Sequence, residues 1–120
     1  MRKVLLTGLL LCFTASFAFA QEMDYSLSMN GVIIDTQSVA KNKNNLDDFL
    51  KTYTKNDALA PDAVAGGYGI FLEDGYMKFD AESNAKIVEF LNKPESTLGV
   101  TVKVIVGEND ILNLVSIQNR

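Results

Sequence analysis

The sequence predicts a small, mainly β fold with two short helices, a five-stranded OB-like barrel carrying a helix-bearing insert between strands 1 and 2. Three observations lead there: β-rich runs bounded by turn residues, two apolar stripes at helical spacing, and two hairpin signals. They follow one another as strand, insert, strand, strand, helix, strand, strand. Five strands with a helix between the third and fourth is the element order of an OB barrel, which curls a sheet until its edges are largely hidden. A small α+β sandwich would use the same order.

Tyr25 to Val39 reads as an extended run whose apolar content is Leu27, Met29, Val32, Ile33 and Ile34, and Gly31 within it marks an expected bulge or bend. In "NLDDFLKTY", Leu46, Phe49, Leu50 and Tyr53 fall on one helical face. Asn45 can cap that helix, and Asp47 and Asp48 occupy the first turn, where the helix dipole favours negative charge; the pair therefore reads as helix electrostatics rather than a catalytic dyad. Tyr68 to Leu72 and Tyr76 to Phe79 are strands joined by the turn Glu73-Asp74-Gly75. A second helix follows, capped by Asp80 or Ser83 and striped with Ile87, Val88, Phe90 and Leu91, before Pro94 ends it. Val100, Val102, Val104 and Val106 then alternate with Thr101, Lys103 and Ile105, and Gly107 to Asp110 turns the chain into "ILNLVSI", a terminal hairpin.

The first twenty residues predict an address. Met1, Arg2 and Lys3 are a short positive region, Val4 to Phe17 is almost wholly apolar, and Ala18-Phe19-Ala20 places small residues where a signal peptidase inspects them. Cleavage between Ala20 and Gln21 is expected, leaving a single domain, 21–120, that is periplasmic or secreted and keeps no stable membrane anchor. The rival reading, acylation at Cys12, puts a bulky leucine directly before the cysteine and leaves Phe13 to Ala20 as an apolar tail without purpose.

Cleavage there removes the sole cysteine. The chain has no histidine or tryptophan, so no disulfide, thiolate or imidazole would remain in the mature protein. It would hold nine basic against fifteen acidic residues, a charge of −6. That balance repels phosphate backbones, and Lys41, Lys43, Lys51 and Lys55 form no cationic stripe, so a nucleic-acid partner is not expected.

The stretch "TKNDALAPDAVAGGYG", Thr54 to Gly69, reads as a loop with two isolated acids among small residues. In an OB barrel it belongs to the first of the two loops that line the binding face. Asp57, Asp62, Tyr68 and Tyr76 are therefore the candidate ligand-binding residues. Asp57 and Asp62, with Asp35 or Asp74 nearby, are also candidate oxygen ligands for a hard cation such as calcium, although calcium wants six to eight oxygens and no EF-hand spacing exists. The glycines at 66, 67 and 69 lead into a strand rather than opening a helix, which argues against a phosphate loop and suits a tight approach to that strand. Tyr53 lies on the helix's apolar stripe and reads as core.

Gly31, Asp35, Thr54, Ala58-Leu59, Pro61, Gly67-Tyr68-Gly69, Lys78-Phe79-Asp80 and Val102-Lys103-Val104 form a frame that resembles a group of small exported bacterial proteins with an OB-like fold and a Cys/His-bearing loop. Here Ser38 stands where their first cysteine would be, Tyr53 where the histidine would be, and Asp57 and Ala63 where the loop cysteines would be. The resemblance implies a metal or disulfide role for those positions in the group and no settled activity; with a carboxylate and an alanine there, soft-metal chemistry is lost.

No nucleophile with an identifiable base, metal triad or spaced carboxylate pair is present, so an enzyme is not expected and no cofactor is implied. The expected function is an exported, non-catalytic binding or interaction module for a protein or small molecule. The alternatives are a calcium-binding protein using loop carboxylates and a hydrolase with an unrecognised carboxylate site.

Overall fold

The structure is a computed structural model that describes residues 25–120. The expected signal peptide, its cut before Gln21 and Cys12 lie outside the described residues. Among those described, no helix is long and apolar enough to cross a membrane.

The chain forms five strands and several short helices. In order these are β1 (Leu27–Asp35), α1 (Thr36–Lys41), α2 (Leu46–Leu50), α3 (Lys55–Ala58), α4 (Pro61–Gly66), β2 (Tyr68–Leu72), β3 (Gly75–Lys78), α5 (Ala81–Leu91), β4 (Gly99–Val106) and β5 (Leu112–Asn119), with a 3-10 turn at Glu108–Asp110 before β5. The strands make one five-stranded antiparallel sheet in the order β3-β2-β1-β4-β5. β1 changes partner along its length. Leu27 to Val32 pairs with β4, and Val32 to Asp35 with β2. At the far ends of the sheet, Phe79 and Leu112 form an isolated parallel bridge, and Asp80 N–H donates to the Leu112 carbonyl at 2.8 Å.

Alternation puts Ile33, Tyr68, Ile70, Val100, Val102, Val104, Leu112 and Leu114 into one core, closed by Ile87, Phe90 and Leu91 of α5. The sequence stripe of α5 was therefore legible, with Val88 partly buried at its margin. Asp80 is the cap, its Oδ1 accepting from Ser83 N–H at 2.9 Å. Ser83 is itself fully buried and accepts the Leu114 N–H at 2.7 Å, while Lys86 donates to the Leu114 carbonyl at 3.1 Å. Two side chains of α5 thus cover the outer edge of β5 where a further strand would otherwise pair.

Three expectations are corrected. The extended run stops at Asp35, because the Asp35 carboxylate accepts the Ser38 N–H at 3.0 Å and starts α1, which takes in Val39. The insert holds four short helices rather than one, and Thr54 to Gly66 is mostly helical: a capping box at Thr54 and Asp57 starts α3, and Pro61 starts α4. Gly31 makes no bulge. It serves a close approach, since a Cβ there would lie 2.6 Å from the Phe71 carbonyl oxygen, and the register irregularity falls instead between Lys103 and Val104.

Candidate functional site

The insert α1–α4 folds over the end of β1 and leaves a cavity of about 260 Å³ lined by Asp35, Ser38, Tyr53, Asp57, Asp62 and Ala63. Each residue arrives by a local device. Asp35 is the last residue of β1 and the cap of α1, so its carboxylate is held at a strand end and is only 3% exposed. Tyr53 follows α2 and turns its ring inward, tilted against Phe49 with centroids 5.4 Å apart. Its hydroxyl donates to Asp35 Oδ1 at 2.5 Å and accepts the Asp35 N–H at 3.2 Å. Among the described residues no basic side chain pairs with Asp35, so a buried carboxylate is held by hydrogen bonds alone.

Burial first, and then the hydrogen bond to Asp35, raise the Tyr53 phenol well above the ordinary tyrosine range. Burial followed by the Asp35 charge does the same for Tyr68 and Tyr76. Three phenols around one carboxylate therefore stay protonated as donors. Of the three, Tyr53 lines the insert cavity, where it stands with Asp35, Asp57 and Asp62.

The four candidate residues are not brought together. Asp57 and Asp62 do line the insert cavity, both exposed. Asp57 spends one oxygen on its capping box, Oδ2 accepting from Thr54 N–H at 2.9 Å. Asp62 sits in the first turn of α4, where the dipole favours it. Tyr68 is fully buried in the core and donates to the Ala58 carbonyl at 2.5 Å, so its hydroxyl reaches neither water nor a ligand. Tyr76 is half-buried, packs across Gly69, donates to the Ile34 carbonyl at 3.3 Å and lines a different cavity. Among the described residues no group of three or more His, Cys, Asp or Glu side chains is placed to hold a metal ion.

The insert is anchored at a second point that sequence reasoning missed. Lys55 of α3 donates to the carbonyls of Lys93 at 3.0 Å, Pro94 at 3.4 Å and Ser96 at 2.8 Å, and to Ser96 Oγ at 2.9 Å. An ammonium suits this place because carbonyls left over at a helix C-terminus are oxygen-rich and negative. A further tie runs through Gly67, whose carbonyl accepts the Thr36 N–H at 3.0 Å, and Asn84, whose Oδ1 accepts the Tyr68 N–H at 3.0 Å. The Asp35–Tyr53 pair had one legible signal: an aspartate ending a β-rich run three residues before a serine is an N-cap pattern.

No known protein family, curated protein or solved structure matches the chain.

Proposed function

We propose that this chain is an exported, non-catalytic binding module of OB-like barrel architecture, and that its ligand enters the cavity beneath the insert. What supports the barrel is the strand order together with the parallel bridge from Phe79 to Leu112, the closure between third and fifth strands that an OB barrel requires. What supports export is the charged, apolar and small-residue pattern of residues 1–20.

The observation that carries the binding reading is convergence. Ser38, Tyr53, Asp57 and Ala63 are scattered along the insert, yet all four line one cavity, with buried Asp35 on its wall. They are the positions at which the resembled exported proteins carry cysteine and histidine. The insert thus keeps a built site and changes its chemistry from soft ligands to carboxylates and phenol. Asp35, Asp57 and Asp62 outnumber Lys41 on its lining, which favours a small ligand that is neutral or cationic and donates hydrogen bonds.

The test is thermal unfolding of the purified protein with a panel of small amines, sugars, nucleotides and divalent cations. A ligand at about 100 times its Kd adds roughly 2.7 kcal/mol of stability and raises Tm. The shift should be reduced by Asp62→Lys, an exposed change that leaves the fold alone. A flat panel, or a shift indifferent to Asp62, overturns the reading.

A further inference from the structure

We propose that the open edge of β3 is a second recognition surface, which takes an extended, positively charged peptide segment of another protein by adding it to the sheet as a new strand. The inference goes beyond the insert cavity and stands on different residues.

β3 is an end strand, paired with β2 on one side only. Phe79 N–H donates to the Tyr68 carbonyl at 3.0 Å, which makes Phe79 and Tyr68 a hydrogen-bonded pair of the antiparallel ladder. The alternation then directs the N–H and C=O of Met77 toward β2 and those of Tyr76 and Lys78 outward. Among the described residues the outer side of the sheet closes at the single bridge between Phe79 and Leu112. Before that point the strand edge faces a cavity of about 470 Å³, lined on one side by Asp74, Tyr76, Met77 and Lys78 and on the other by Asn109 and Asp110. A volume of this size lies within the usual range for bound ligands, about 300–1,000 Å³.

The other end strand makes the contrast. On β5, Ser83 and Lys86 occupy the outward N–H and C=O of Leu114, as the fold requires of an edge kept from pairing. Among the described residues β3 has no such cover: Lys78 is exposed, and Tyr76 turns its hydroxyl away to the Ile34 carbonyl. An unpaired backbone beside a slot is the geometry of strand addition, in which main-chain bonds hold the guest and side chains select it.

Charge selects the guest. Asp74 and Asp110 face the slot, Glu73 and Glu108 adjoin them in sequence, and among the described residues Lys78 is the one cation of the lining. An acidic rim favours lysine- or arginine-bearing segments and repels acidic ones. A second copy of this chain is the poorer guest, because its β3 arrives attached to its own β2 and meets the wall formed by Asn109 and Asp110.

The experiment uses three labelled synthetic peptides and the purified protein, read by fluorescence anisotropy. One peptide alternates lysine and threonine, one replaces lysine by glutamate, and one is the lysine peptide N-methylated at alternate backbone nitrogens. Binding of the lysine peptide alone is expected. Lys78→Pro, which deletes an outward N–H at an exposed edge position, should weaken it by roughly tenfold or more while Tm is retained. Asp74→Lys should shift preference toward the glutamate peptide. Should Lys78→Pro disturb folding, slowed amide exchange at Tyr76 and Lys78 of the unaltered protein on adding the lysine peptide decides the matter. Equal binding of the methylated peptide, no binding of any peptide, or self-association through this edge in place of peptide binding overturns the proposal.

Discussion

Tyr53 and Asp35 are joined twice through one phenolic oxygen, which donates to the Asp35 carboxylate at 2.5 Å and accepts the Asp35 backbone N–H at 3.2 Å. The pair locks the end of α2 onto the end of β1 and so fixes the back wall of the insert cavity. Tyr53→Phe keeps the ring and removes both bonds, leaving a buried carboxylate oxygen and a buried N–H short of a partner. The expected loss is about 1–3 kcal/mol by denaturant unfolding. Asp35→Asn combined with Tyr53→Phe should cost less than the two single changes added together, since each removes the same contact. Strict additivity would show that the pair does not act as one unit.

Lys55 closes the opposite side of the insert on oxygens from Lys93 to Ser96. Lys55→Met retains most of the aliphatic stem and removes the donors. Because the ammonium is partly solvated, a loss of about 1–2 kcal/mol is expected, with amide exchange in α3 accelerating more than in β4. Uniform acceleration over the whole domain would refute a local anchoring role.

At low pH the relevant group is Asp80. Hydrogen bonding from Ser83, then from Asn113, holds its carboxyl below the ordinary aspartate range. A folded-state pKa below the unfolded one means that the unfolded chain binds the proton first. The contribution is therefore complete above the unfolded value, near 4, and fades as pH falls through the folded one. Asp80→Asn should flatten this acid limb of stability while preserving part of the α5 cap. An unchanged pH profile would assign the acid limb to other carboxylates.

At high pH the sign reverses. Tyr53, Tyr68 and Tyr76 have phenols raised by burial first, so the folded state resists their ionisation. Their contribution is intact below the unfolded value, near 10, and declines above it. Absorbance at the phenolate band should therefore rise for these three only together with loss of the far-ultraviolet circular dichroism signal. Ionisation of all the tyrosines before unfolding would contradict their burial.

Gly67 links α4 to β2 with φ of 89°, and a Cβ there would lie 2.8 Å from Asn84 Nδ2. Gly67→Ala meets both a left-handed backbone and a collision with the residue that holds Tyr68 N–H. A loss of about 1–3 kcal/mol is expected from thermal unfolding, more than Gly66→Ala, whose neighbour is the flexible Gln37 side chain.

The succession of strands along the chain and α5 were legible because each rests on a strong local signal: the valine alternation of β4, the Asp-Gly turn before β3, and the stripe of Ile87, Phe90 and Leu91. The four-helix form of the insert was not, since helices of four to six residues are too short to show a period. Thr54 and Asp57 formed a capping pattern in plain view, but the alanines and glycines after them suggested a loop. Of the cavity lining, Asp57 and Asp62 stood out in the sequence by their isolation among small residues. Tyr68 was misplaced because a strand tyrosine gives no sign of which face it takes, and Asp35 with Tyr53 depends on a contact across 18 positions that no window spans.

The switch of partners along β1 governs how the chain can be made. Leu27 pairs with Val104, so the first of the described strands to be synthesised waits for β4 before half of its ladder can form. Contacts so remote in sequence slow folding and leave little stable structure in the partial chain. Until β4 is available, Leu27 to Gly31 have no strand of this sheet to pair with.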